Sequence, residues 1–340
     1  MKWKPPESWM SITAIDAHTG GEPLRIYTSG YPDLPGASIL AKKRYAQEYF
    51  DHLRTATMWE PRGHADMYGC LVTEPVTADG HFGVLFLHNE GYSSMCGHGI
   101  IAIVKVVLET GLVAIAAGTR SINIDTPAGR VTAEAHWDND RVKEVSFLNV
   151  PSFVYLLDQT IEIPGLGPIN YDIVYGGAFY ALVSAEETGV KLTAHGFRRL
   201  IELGSQIKQA IIKNVPISHP FENDLGFLYG VIFIGKAEDP AHHSRNVCVF
   251  ADGEVDRSPT GTGVSARCAL HYARGELAIG EQIVVESIIG SCFSGEVVEA
   301  TSFGTFKAVI PKVTGSAYIS GVNTMFIDPE DPLRYGFILR

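Results

Sequence analysis

A chain of 340 residues with 46% hydrophobic and 19% charged residues is that of an ordinary folded protein, long enough for two domains with their own cores. The formal net charge of −11 argues against nucleic acid as the main partner, because phosphate binding wants clustered lysine and arginine. No stretch approaches the ~18 consecutive apolar residues of a membrane span, and five scattered cysteines without a C-x-x-C pair suit free thiols in a reducing cytoplasm.

The opening MKWKPPESWM has two lysines, then Pro-Pro, and no apolar stretch of a secretory signal. Residues 11–18 alternate as a strand should, residues 37–53 are a helix candidate, and residues 84–89 read as a second strand. The basic run KKR at 42–44 is expected on a solvated helix face, as is RR at 198–199. SSMCGHGIIA at 93–102 is a Gly-rich turn opening a helix. Residues 149–170 are rich in Pro and Gly, so the chain is expected to cross there from a first domain, 1–150, to a second, 151–314. Residues 195–214 predict a helix with Phe197, Leu200, Ile201, Ile207 and Ile211 on one face. His242, His243 and Cys248 lack a supporting carboxylate pattern and read as loop.

The segment VDRSPTGTGVSAR at 255–267 repeats the plan of the earlier turn. Cys96-Gly97-His98-Gly99 aligns with Thr260-Gly261-Thr262-Gly263, and small or apolar residues follow both. Gly111 and Gly275 each stand fifteen residues further on, where a helix would end. A strand-like piece and another glycine, Gly129 or Gly290, come next. The pattern predicts a duplication, with two helix N-termini pointing into one cleft. Their unpaired N–H groups and partial positive charge would make a carboxylate receptor.

A cysteine at a helix N-terminus has its thiolate favoured, so the pKa of Cys96 is expected to fall, fitting it as nucleophile or general base. The other four cysteines, at 70, 248, 268 and 292, read as inert core residues. His98 suits a metal ligand or a base, but no His/Cys cluster of metal spacing accompanies it, and no metal is expected. Asp256 either reaches the ligand or serves an Asx-turn or Arg257, and Arg257 is read as structural.

DAHTGGEP at 16–23, PRGHADMYG at 61–69, MCGHG at 95–99 and DRSPTGTG at 256–263 together resemble, in order, the signature segments of the proline racemase family. The resemblance implies an α/β fold like that of diaminopimelate epimerase. Two pseudo-symmetric domains each wrap a sheet around a central helix, the active site lies between them, and no cofactor is needed. It also implies that residues from about 315 to 340 return to the first domain. Carried over, Cys96 matches the catalytic thiol, and Gly97, His98, Gly261 and Thr262 the backbone carboxylate binders. Asp256 matches the acid that holds the ring nitrogen, and Tyr68 and Phe250 the aromatics against the ring. A hydroxyl at Tyr68 could contact a polar substituent.

The main departure is Thr260. Racemases and hydroxyproline epimerases of the family have a second cysteine there, while its trans-3-hydroxy-L-proline dehydratases have threonine. A threonine hydroxyl is too weak an acid–base group to replace a thiol in two-base racemisation. The expected reaction is therefore loss of water from trans-3-hydroxy-L-proline, with Cys96 taking the C2 proton, to give Δ1-pyrroline-2-carboxylate. The alternatives are a 4-hydroxyproline 2-epimerase or proline racemase using one thiol and a water, and a non-catalytic imino-acid binder. The expected partner is a small imino acid, and a homodimer is the expected assembly.

Overall fold

The computed structural model describes residues 3–116 and 118–339. The chain opens with β1 (Met10–Thr19) and β2 (Glu22–Ser29), an antiparallel pair. Its turn, Gly20–Gly21, has φ of 59° and 92°, and a Cβ at Gly21 would stand 2.4 Å from Ile289. Helices α1 (Ile39–Tyr49) and α2 (Asp51–Met58) then carry the chain to β3 (Gly69–Thr73), parallel to β2. The one helix expected over 37–53 is thus two, broken at Phe50 (φ −127°, ψ 14°), whose ring sits edge-on to Tyr31 and Tyr45. The basic run is not a solvated face either. Lys42 and Lys43 are buried, Lys42 Nζ donating to the Glu74 carbonyl at 2.7 Å, and only Arg44 reaches outward, to Asp224.

Strands β4 (Phe82–Leu87) and β5 (Tyr92–Ser93) lead into helix α3 (Gly97–Thr110). After it come β6 (Ser121–Thr126), β7 (Gly129–Asp138) and β8 (Arg141–Leu148). Next are β9 (Ser152–Ile163), β10 (Gly167–Tyr175) and β11 (Phe179–Ser184), so the Pro- and Gly-rich stretch 149–170 is largely strand, its turn at 164–166. Helices α4 (Ala185–Thr188) and α5 (Phe197–Asn214) precede β12 (Leu228–Gly235), β13 (Ser244–Phe250) and β14 (Glu254–Val255). Helix α6 (Gly261–Ala273) is followed by β15 (Gln282–Glu286), β16 (Cys292–Phe303), β17 (Phe306–Gly315) and β18 (Ala317–Ile327).

The pairing pattern runs twice. The series β1, β2, β3, β4, β6, β7, β8 has the same order and the same parallel or antiparallel senses as β10, β11, β12, β13, β15, β16, β17. Each series is extended by a strand that arrives from the other: β9 follows β8 but pairs with β10, and β18 follows β17 but pairs with β1. Strands β8 and β17 pair with each other and join the two halves.

Helices α3 and α6 are the cores of these halves. Every residue of α3 from Gly97 to Val107 is buried, as is every residue of α6 from Gly261 to Leu270. Such all-round burial marks a helix enclosed by sheet. Both end as the glycine spacing predicts, with Gly111 and Gly275 in the left-handed region (φ 70° and 71°) that glycine adopts without steric cost. Helix α5 instead covers β12 and β13 from outside. Its buried face is Leu200, Leu203, Gly204, Ile207 and Ile211, while Phe197 is exposed and Ile201 half-buried. No helix among the described residues is long and apolar enough to cross a membrane.

Candidate active site

Helices α3 and α6 meet N-terminus to N-terminus. A Cβ on Gly97 would lie 2.5 Å from Gly261 Cα, and one on Gly261 would lie 2.7 Å from Gly97 Cα. Glycine at both positions lets the two backbones touch, so the first N–H groups of both helices open on one narrow cavity. All nine residues singled out in the sequence line it: Tyr68, Cys96, Gly97, His98, Phe250, Asp256, Thr260, Gly261 and Thr262.

Cys96 is the N-cap of α3, in extended conformation, and its Sγ accepts the Gly99 N–H at 3.2 Å. The thiol is nonetheless not acidic in this closed cleft. Burial pushes its pKa well above the usual range, and the Asp256 and Glu22 carboxylates push the same way. The Gly99 N–H and the Tyr68 side chain oppose them without prevailing. The expected fall in pKa is thus reversed, because the helix end acts on a group that has lost its water. The cysteine accessible to solvent is Cys292, while Cys70, Cys248 and Cys268 are buried as the sequence suggested.

The His98 ring is the neighbour that sequence reasoning undervalued. Its Nδ1 stands 3.2 Å from Cys96 Sγ, its ring lies T-shaped to Tyr68 at 4.8 Å between centroids, and burial lowers its pKa, favouring the neutral imidazole. The backbone beneath it is fixed by Thr19, whose hydroxyl donates to the His98 carbonyl at 2.9 Å.

On the other side, Asp256 makes the expected turn and also faces the cavity. Its Oδ1 accepts the Ser258 N–H at 2.7 Å as an Asx-turn, and the residue still lines the cavity. Arg257 pairs with Asp66 at 2.8 Å rather than with Asp256, and its N–H donates to the buried Glu22 at 2.7 Å. Thr260 has φ 66° and ψ 97°, rare for a β-branched residue. Its buried hydroxyl makes no cap and finds no hydrogen-bond partner of good geometry among the described residues. Thr262 is held by the Tyr180 hydroxyl at 2.7 Å.

Two lining residues, Tyr180 and Tyr229, have no motif in the sequence, and a third, Met95, opens MCGHG without having been given a role. Tyr229 could have been found through the duplication. Tyr68-Gly69 stands at the start of β3, Tyr68 just ahead of it, and Tyr229-Gly230 stands near the start of β12, the corresponding strand of the second half. The two tyrosine hydroxyls converge at 3.5 Å. His242 and His243, read as loop, bond to Glu286 and the Ser244 hydroxyl.

Residues 14–338 match the family described as proline racemase. A trans-3-hydroxy-L-proline dehydratase of Colwellia psychrerythraea is 52% identical, over 100% of this chain and 96% of its own length. A 3-hydroxyproline 2-epimerase of Burkholderia multivorans is 44% identical, over 97% of this chain and 98% of its own. Among solved structures, a hydroxyproline epimerase from Agrobacterium vitis with bound trans-4-hydroxy-L-proline superposes with a TM-score of 0.93. It is 30% identical and is matched over 98% of this chain and 96% of that one. The fold is the diaminopimelate-epimerase-like α/β fold expected from the sequence.

Proposed function

This chain belongs to the proline racemase family, and we propose that it is a trans-3-hydroxy-L-proline dehydratase with Cys96 as its only proton-abstracting base. The observation that carries the reading is the inequality of the two helix starts: a thiol at Cys96 and, facing it, a hydroxyl at Thr260 that cannot serve as a base near neutral pH.

The substrate carboxylate sits between the helix starts, on the N–H groups of Gly97, His98, Gly261 and Thr262, and Asp256 holds the ring ammonium. Tyr68 and Phe250 pack against the ring. The ammonium neutralises Asp256, one of the charges that raises the Cys96 pKa, so binding itself makes the thiolate more accessible. In trans-3-hydroxy-L-proline the hydroxyl is trans to the carboxylate and shares a ring face with the C2 hydrogen. Cys96 takes that proton, the C2–H electron pair becomes a C2=C3 double bond, and the 3-hydroxyl departs from the same face. The helix N–H groups stabilise the charge that develops on the carboxylate. The enamine then tautomerises to Δ1-pyrroline-2-carboxylate, and no acid is required on the Thr260 side.

The name of the 44% identical relative from Burkholderia multivorans raises a second outcome on the same substrate, inversion at C2. Incubation with trans-3-hydroxy-L-proline, trans-4-hydroxy-L-proline and L-proline, following imine formation and optical rotation, separates these. Imine from the 3-hydroxy compound alone is the expected result. Inversion without imine would replace the dehydratase by an epimerase.

A further inference from the structure

The Tyr68 hydroxyl is not accounted for by packing. Tyr68 is 2% exposed, and its oxygen lies 2.6 Å from Ser93 Oγ and 3.5 Å from the Tyr229 hydroxyl, all three groups buried. It also lines the same cavity as Cys96, and the His98 ring touches both, its Nδ1 3.2 Å from Cys96 Sγ and its centroid 4.8 Å from that of Tyr68. A phenol has one proton and two acceptor lone pairs. Ser93 and Tyr229 can both donate to the Tyr68 oxygen, which leaves the Tyr68 proton for a third group in the cavity. Burial keeps Tyr68 protonated, its pKa raised well above that of a free phenol. The result is a proton donor beside the base, on the same side of the cavity, backed by two hydroxyls that aim it.

Resting on the dehydratase reading, we infer that Tyr68 binds the 3-hydroxyl of the substrate and delivers the proton with which it leaves, while Ser93 and Tyr229 position Tyr68. Elimination from one face requires the 3-hydroxyl to lie on the Cys96 side, which is where Tyr68 stands. The step balances without an outside acid. The C2–H bond breaks and the Cys96 thiolate gains the proton. The C2=C3 bond forms as the C3–O bond breaks. The Tyr68 O–H gives its proton to the departing oxygen, releasing water, and the phenolate recovers a proton from the Cys96 thiol. The thiolate is regenerated for the next turnover. The same contact would select a ring hydroxylated at C3, because an unsubstituted ring leaves the Tyr68 proton without an acceptor.

The test compares two leaving groups. Chloride departs without a proton, so trans-3-chloro-L-proline needs Cys96 but not Tyr68. In Tyr68→Phe, imine formation from trans-3-hydroxy-L-proline should fall ~100-fold or more, the usual scale of a general acid, while elimination from the chloro compound changes little. Equal slowing on both substrates would mean that Tyr68 acts only through the thiol or the packing, and would overturn the inference. An unslowed hydroxy substrate would overturn it as well. Binding of pyrrole-2-carboxylate reports whether the variant is folded. If it is not, Tyr229→Phe decides, with a smaller loss confined to the hydroxy substrate expected and an equal loss on both overturning. A wild-type protein that expels chloride but never water would overturn the dehydratase reading itself, and this inference with it.

Discussion

The two helix starts occupy equivalent places in a duplicated fold and behave differently. At α3, Cys96 is an ordinary N-cap with extended backbone, its side chain turned back onto the Gly99 N–H. At α6, Thr260 has a positive φ and its side chain makes no cap, and its turn is steadied instead by the Thr260 N–H donating to Ser258 Oγ at 3.1 Å. The carboxylate receptor proposed above needs only backbone N–H groups, which both helix starts present. The proposed acid–base chemistry needs a side chain, and only one start carries a thiol. Symmetry of binding with asymmetry of chemistry is what an elimination from one ring face calls for.

The largest effect expected on that comparison is from Cys96→Ser. Imine formation should drop by at least ~10³-fold, while pyrrole-2-carboxylate, which needs only the backbone receptor, still binds by calorimetry. Retained turnover would transfer the chemistry elsewhere. In the free wild-type protein, alkylation of Cys96 should rise with pH to a midpoint above the ordinary thiol range of about 8.5, since burial favours the protonated form. Gly97→Ala comes next. Its Cβ would meet the Gly261 backbone at 2.5 Å, where nothing can swing aside, and thermal or denaturant unfolding should register a loss of about 1–3 kcal/mol together with a large loss of activity. A fully active Gly97→Ala would mean the helix ends need not touch.

Thr260→Cys tests the asymmetry directly. A second thiol opposite the first should bring measurable 2-epimerisation of trans-4-hydroxy-L-proline, read by optical rotation, alongside continued dehydration of the 3-hydroxy compound. No gain would show that the strained backbone aims this side chain away from C2. The smallest effect belongs to Cys292→Ser. The exposed thiol should be the first to react with a bulky thiol reagent, yet its replacement should leave turnover unaltered and stability within about 0.5 kcal/mol.

Much of the site was legible because its parts are local. Cys96-Gly97-His98-Gly99 and Thr260-Gly261-Thr262-Gly263 announce helix starts through glycines the backbone contact requires, and Gly111 and Gly275 announce the ends. What escaped depends on pairing across the sheets. Tyr180 and Tyr229 sit in continuous buried strands, where a lining tyrosine looks like any other core aromatic until Tyr180 is set beside Gly230 by strand register. The raised Cys96 pKa escaped because helix dipoles can be read from a motif, whereas desolvation depends on everything that closes over it. Lys42 and Lys43 misled for a similar reason, their burial being decided by distant chain such as the Glu74 carbonyl.

The exchange of strands between halves also bears on how the chain can assemble as it is made. Strand β1 lies at residues 10–19, but its partner β18 lies at 317–327. During synthesis the sheet around α3 therefore waits with an open edge until almost the whole polypeptide has been translated. The sheet around α6 has β9 in hand from its outset. The later-made half can close first and the earlier-made half last, the reverse of the usual order from the ribosome. Over that interval the bare flank of β1 is the place where a nascent chain would meet a chaperone or another unfinished copy of itself.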